Sequence, residues 1–292
     1  MLWLVFTLFA AFMQAWRNAL QKQLSHDVPV FGVTLARFLC AWPLALLYLL
    51  FHYQRDKSLV IPDFPPAFLA YVAAAAVVQI VATLLMVQLF RLKNYAIGVS
   101  LVRSEAVFAA MLGMLFYGSQ LGALGWLGVM TGAVAIFLLS GTGGWRQVSP
   151  QVLALGMAGG LCFALTSLWV REASQLLPLP PLVGAAWSLF CVIFLQALAL
   201  FAGLWLWERG TLRKLFAHPR LMLATGVASF LGSLGWFSAF SLQDVAIVKT
   251  VGQVEVLFVL AISSWFFKEK LQRQNGLGLL LIVVAALLVA WR

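Results

Sequence analysis

Apolar runs of about twenty residues succeed one another along almost the whole chain. Ten of them, at 2–24, 29–52, 66–90, 94–117, 120–140, 150–173, 181–206, 219–241, 244–267 and 271–291, are each long enough to cross a hydrocarbon layer as a helix. The breaks between them are short and carry charge or turn residues: SHDVP, YQRDKS with PDFPP, RLKN, YGSQ, GTGG, LPLPP, WERGTLRK, LQD and KEKLQRQN. No stretch alternates polar and apolar positions with period two, so a β-barrel is excluded. The pattern predicts an all-α membrane protein, a bundle of ten transmembrane helices with tight connections.

Composition agrees with this pattern. The chain is 63% hydrophobic and 10% charged, where soluble proteins are about 45–50% and about 25%. Mean hydropathy is +0.99. The opening segment, MLWLVFTLFAAFMQAW, lacks a basic flank and a small-residue cleavage site, so it reads as the first span rather than a leader. The formal charge of +10 is scattered through short loops. That excludes a nucleic-acid surface and makes the basic residues determinants of orientation in the bilayer. Cys40, Cys162 and Cys191 fall inside apolar runs without ligand spacing. No disulfide, metal site or cofactor is expected.

Two apolar segments are interrupted alike. LVRSEAVF places Glu105 in span four and VGQVEVLF places Glu255 in span nine, an offset of 255 − 105 = 150. At that offset residues 90–138 align with 240–288 without a gap, and 13 of 49 positions are identical, Glu105/Glu255, Gly128/Gly278 and Ala135/Ala285 among them. Two units follow, 1–143 and 144–292, each with five spans. Because five is odd, the second unit enters the membrane from the opposite side. Two inverted five-helix repeats are a recurrent plan of secondary transporters, with the substrate site between the halves.

On these features the chain resembles the drug/metabolite transporter superfamily, specifically its ten-span EamA-type branch. The likeness covers nearly the whole chain. It runs through Lys22, Pro29 and Arg37-Phe38, then Glu105, then Glu255 with Glu269-Lys270-Leu271 at the turn into span ten. The family often has a proline after each of the two glutamates. Here Ala106 and Val256 follow, so no proline imposes a kink there. Ser119-Gln120-Leu121 stands where the family has an acidic and a basic residue. The resemblance implies a multi-pass protein of the cell (inner) membrane, with a small-molecule substrate, the lipid bilayer as its environment and the proton as a candidate coupling ion. A homodimer is one arrangement it leaves open.

Four cations, Arg17, Arg37, Arg103 and Lys249, and two carboxylates, Glu105 and Glu255, lie well within spans. Each charge at bilayer depth costs at least about 2.5–3.5 kcal/mol, so all six must face protein or a watery cavity. On a regular helix Lys249 and Gln253 share a face, and Arg103 is the repeat partner of Gln253. Glu105 is then roughly 200° from Arg103, so only one of the pairs 103/253 and 105/255 is expected to face the cavity. The preferred assignment turns Arg103, Lys249 and Gln253 to the substrate. Glu105 and Glu255 then pair with Arg17 or Arg37 on neighbouring spans, or carry the proton. In span one, Gln14, Arg17, Asn18 and Gln21 form one polar stripe expected to line the cavity. The counterpart in span six, Thr166, Ser167 and Arg171, is milder, which predicts an asymmetric site. Trp16, Trp169, Trp187, Trp236 and Phe237 could stack on a ligand. Of these Trp236, beside Gly232 and Gly235, is the cavity candidate, and tryptophans at span ends, such as Trp3, Trp145, Trp205, Trp207 and Trp291, read as interface anchors.

Basic residues number four on the side of the termini and eleven on the other, which favours termini outside the cytoplasm; the resemblance implies the reverse. GTGGWRQ lacks the spacing of a phosphate-cradling loop, so no nucleotide drives transport. His26, His52 and His218 sit at loops or span ends with no nucleophile beside a base, which argues against an enzyme. Four buried cations against two carboxylates suggest an exporter of small polar metabolites that bear a carboxylate or phosphate, amino acids among them. The alternatives are an exporter of cationic drugs, with the site at Glu105 and Glu255, and a flippase of lipid head groups.

Overall fold

A computed structural model describes residues 1–92, 101–140, 149–268 and 275–290. The repeat boundary at 143/144, Ala96, Ile97, Trp145, the Glu269-Lys270-Leu271 turn and Trp291 lie outside them, as do Lys93, Arg146, Arg273 and Arg292. Among the described residues there are helices and no strand: α1 (Leu2–Leu24), α2 (Val30–Leu39), α3 (Ala41–Arg55), α4 (Pro66–Leu92), α5 (Glu105–Tyr117), α6 (Ala123–Ser140), α7 (Pro150–Leu176), α8 (Pro181–Trp207), α9 (Arg209–Phe216), α10 (Pro219–Leu242), α11 (Val245–Gly252), α12 (Glu255–Trp265) and α13 (Asn275–Ala290). Span two is α2 with α3, span nine is α11 with α12, and α5 is the described end of span four. The others are single helices, which completes ten spans.

The ends of these helices are written in the sequence. Proline opens α4, α7, α8 and α10, at a position where its missing N–H leaves no helical bond unmade. The Ser149 hydroxyl accepts a bond from the Val152 N–H at the start of α7. Helix α5 stops at Gly118, which takes a left-handed φ of 63°, and the Ser119 N–H turns back to the Gly113 carbonyl.

Three spans are interrupted. Span two breaks at Cys40, because Pro43 has no N–H for the carbonyl of Leu39. Spans four and nine break without proline, at the equivalent positions Arg103-Ser104 and Gln253-Val254. There the backbone tightens into a 3₁₀ turn. The N–H groups of Val254, Val256 and Leu257 bond three residues back, to Val251, Gln253 and Val254, and Ala106 and Val107 do the same to Arg103 and Ser104. Glu105 and Glu255 are each the first residue of the half-helix that follows, where the positive end of the helix dipole favours a carboxylate.

The packing repeats under exchange of the halves. Span one lies along span eight and span three along span six; spans five and ten pack on each other. Exchange of the halves, one for six and three for eight, carries the first pair into the second and leaves the third unchanged. Spans four and nine meet at the centre, span four against span six and span nine against span one. Gly160 of α7 permits this approach: a β-carbon there would collide with Ser104 and the backbone at Val102 and Glu105.

Large apolar side chains cover the outside, among them Val5, Leu8, Phe12, Leu69, Val77, Leu115, Leu198, Leu206 and Leu287. Such a surface suits hydrocarbon rather than water. The sequence expectation of a loop at WERGTLRK is corrected: residues 209–216 form the short amphipathic helix α9, with Thr211, Leu212 and Leu215 buried and the charged side chains outward. Charge concealed the apolar face of so short an element.

Candidate functional site

The two 3₁₀ turns face one another near the molecular centre, and the buried charges gather there. Lys249 donates to Glu105 at 3.1 Å, Glu105 accepts from Arg103 at 2.8 Å, and Arg103 continues to Glu255. Glu255 also accepts from two residues of span one, Gln14 at 2.6 Å and Asn18 at 3.1 Å. The Arg17 guanidinium in turn donates to the Asn18 oxygen at 2.9 and 3.2 Å. A continuous polar chain therefore crosses from span nine through span four to span one. Glu255 and Arg17 are 0% and 1% exposed.

The chain is framed by aromatic rings. The Trp236 N–H donates to Gln14 at 2.8 Å, and Trp236 stacks on Phe240. The Lys249 ammonium lies 4.5 Å from the Trp236 ring centre and 5.2 Å from that of Phe240. Across the chamber Arg37 donates to Thr83 at 2.6 Å and faces the rings of Phe38 and Phe163. Its Nε has no acceptor among the described residues.

The open space among these groups is about 30 Å³, room for about two waters. Toward the side of the termini it is closed by Arg171, which donates to the carbonyls of Phe240 and Gln243 and pairs with Asp244 at 3.3 Å. Toward the other side Trp16 meets Trp265 and Phe266 edge to face, and the Lys22 ammonium lies over Phe267. Within the chamber the charged side chains are held by their own ion pairs.

Of the residues singled out from the sequence, Gln14, Arg17, Asn18, Arg37, Arg103, Glu105, Thr166, Ser167, Trp236, Phe237 and Lys249 line this chamber, and Glu255 is bonded into its charge chain. Three geometric expectations are corrected. Arg103 and Glu105 do not point apart. The 3₁₀ turn reduces their separation to roughly 120° from roughly 160°, and the long arginine side chain spans the rest. Glu105 pairs within its own span and with Lys249. Arg37 makes no ion pair with either glutamate; its side chain runs from α2 to Thr83 of α4. Gln253 turns away from the chamber and presses on α6, where a β-carbon at Gly132 would overlap its amide. Neither polar atom of that amide has a partner among the described residues. Gln21 is buried outside the chamber lining. Trp16, Trp169 and Trp187 pack elsewhere, Trp187 donating to the Tyr53 hydroxyl.

Gln79, Met86, Phe163, Ser233 and Phe240 also line the chamber and were not anticipated. A signal existed for two of them. Gln79 is the lone strongly polar residue in the middle of span three, and Phe240 lies one turn beyond Trp236.

An inverted-repeat helical bundle in which two equivalent spans break at a shared, buried charged site is the architecture of a membrane transporter. The profile of the EamA-like transporter family matches this chain twice, over residues 1–141 and 151–291. The chain belongs to that family, whose members are transporters, and as a member it is a multi-pass membrane transporter of small molecules. A solved structure titled only as a crystal structure of a protein superposes with a TM-score of 0.71 at 15% identity, covering 98% of each chain. That likeness shows the shared fold. No curated protein sequence matches this chain.

Proposed function

We propose that this transporter is a secondary active exporter of small polar metabolites that carry a carboxylate or related anionic group, amino acids among them. Alternating access would work between the two five-span halves around the central chamber. The observation that supports this reading is the charge balance of the chamber. Arg17, Arg37, Arg103 and Lys249 give +4 and Glu105 with Glu255 give −2, leaving a formal +2. No carboxylate neutralises Arg37 among the described residues. A buried cation without a counter-ion is costly, and a bound anion removes that cost.

Glu105 and Glu255 occupy Arg103 and Lys249. An incoming carboxylate pairs with Arg37 and competes with the two glutamates for Arg103 and Lys249. The displaced glutamate then takes a proton or faces the ammonium group of an amino acid. Proton coupling enters at this step. Glu255→Gln retaining full pH-gradient-driven flux would exclude that role for Glu255.

The alternative of a cationic substrate is favoured by one feature, the stacked Trp236 and Phe240 that now hold the Lys249 ammonium. Flux into or out of proteoliposomes separates the two readings. Labelled amino acids, dicarboxylates, phosphorylated metabolites and quaternary ammonium ions are each offered. Flux confined to carboxylate- or phosphate-bearing compounds supports the proposal, and flux confined to quaternary ammonium ions overturns it.

A further inference from the structure

One charged surface of the molecule takes no part in the transport site. Between spans seven and eight, residues 205–220 carry Arg209, Arg213, Lys214 and Arg220 against the single acid Glu208, so the segment is 4 − 1 = +3. Helix α9 presents this charge. Its inner face, Thr211, Leu212 and Leu215, is buried, and Leu215 is wholly so. Arg209 and Arg213, one turn apart, stand on one side of it.

That side borders an open groove lined by Trp205, Arg209, Leu212, Arg213, Phe216 and Ala217. Among the described residues the groove holds two guanidinium groups and no carboxylate. Neighbouring acids are engaged elsewhere: Glu208 accepts from Thr211 at 3.2 Å, and Asp27 faces His218 at 3.5 Å. Arg209 is held in place by a bond from its Nε to the Trp205 carbonyl at 2.9 Å, with its guanidinium over the Trp205 ring. Below the charges the walls are apolar. Trp205, Leu206, Trp207 and Phe216 are 51%, 66%, 84% and 48% exposed. Tryptophan in such positions marks the level where hydrocarbon meets head groups.

We propose that this groove is a binding site for an anionic glycerophospholipid. The phosphodiester lies between Arg209 and Arg213, and an acyl chain runs down past Trp205 and Phe216. The surroundings of the groove define the occupant. The chain crosses a bilayer, the groove opens at the interface, the charge is of one sign, and the apolar wall continues from it. A zwitterionic lipid supplies the phosphate and also an ammonium that the two arginines repel. Selectivity for an anionic head group is therefore the signature of the site. This site rests on α9 alone and stands whether or not the chamber takes anions.

The full-length protein in nanodiscs tests it. Hydrogen exchange of residues 208–218 is compared between phosphatidylcholine and a phosphatidylcholine–phosphatidylglycerol mixture, with residues 56–64 on the opposite side as the internal reference. Phosphatidylglycerol is expected to slow exchange in 208–218 about thirtyfold and to leave 56–64 unchanged, given about 1 kcal/mol for each of Arg209 and Arg213 near an anionic surface. Equal exchange in the two lipids overturns the site. A second arm measures thermal stabilisation of the detergent-solubilised protein by phosphatidylglycerol, by phosphatidylcholine and by inorganic phosphate. The shift with phosphatidylglycerol should disappear in Arg209→Gln/Arg213→Gln and persist in Arg55→Gln/Lys57→Gln. A shift equal with inorganic phosphate would show a free-anion site and overturn the lipid assignment. A shift lost equally in both double variants would show only a general charge effect and overturn it as well.

Discussion

The two halves share one plan and differ where the charges meet. In the first half, the residue at the break in span four is Arg103, and it reaches inward to Glu105 and Glu255. In the second half its counterpart is Gln253, which turns outward to Gly132. The slot that accepts Gln253 has no equal. The residue 150 positions after Gly132 is Ile282, fully buried. Arg103 therefore has no matching place to withdraw to, while Gln253 has one. Lys249 has Val99 at its equivalent position, so the second cation also belongs to one half only. Span two is broken by Pro43, whereas span seven runs unbroken from Pro181 to Trp207. A perfectly repeated molecule would place one glutamate and one identical neighbour on each side of the pseudo-symmetry axis. This one keeps both glutamates and unbalances their partners, which creates a cationic chamber from a symmetrical frame.

The difference can be removed one element at a time. Arg103→Gln copies the second half into the first and has the largest expected effect. It leaves Glu255 with Gln14, Asn18 and the nearby charge of Arg17, and Glu105 with Lys249. Removing one partner of a buried ion pair costs about 3–5 kcal/mol, so a marked fall in thermal midpoint and loss of transport are expected. Gly132→Ile copies the second half's Ile282 into span five. Overpacking against the Gln253 amide is expected to cost about 1–3 kcal/mol, read as a lower unfolding midpoint. An unchanged midpoint would show that Gln253 relocates freely. Gln253→Leu sharpens the comparison in the opposite direction. It removes two buried polar atoms without partners and should raise stability by about 1 kcal/mol. A fall in turnover alongside that gain would mean the amide serves another state of the cycle; full turnover would mean it is only packing. Pro43→Ala gives the Leu39 carbonyl a donor and makes span two resemble span seven. A stability change below about 1 kcal/mol, read as a small shift of the unfolding midpoint, is expected, with span two still bent by its neighbours.

Much of this arrangement was legible beforehand. Hydropathy set the ten spans because a bilayer demands long apolar helices whatever the fold. The repeat was visible because Glu105, Glu255, Gly128 and Gly278 kept their spacing. The polar stripe of span one could be read because lipid tolerates no Arg17 or Asn18 on its face. The 3₁₀ turns were hidden, since Arg103-Ser104 and Gln253-Val254 contain neither proline nor glycine. Tertiary contact across the centre, not local propensity, holds them. The partners of Glu255 were equally hidden: Gln14 lies 241 residues away in the chain. The break at Pro43 was written in the sequence and passed over in a run that otherwise reads as one span.

The central claim is that an anionic group binds in the chamber where Arg37 has no counter-ion among the described residues. The most direct measurement is thermal stabilisation of the purified protein by a panel of amino acids, dicarboxylates, phosphorylated metabolites and quaternary ammonium compounds, for the wild type and for Arg37→Gln. That substitution unpairs no carboxylate, so the fold should survive it. The account predicts stabilisation by a carboxylate- or phosphate-bearing compound, as mass action requires of a ligand of the folded state, and its loss in Arg37→Gln. Stabilisation by quaternary ammonium compounds alone, or by an anion equally in both proteins, would contradict it.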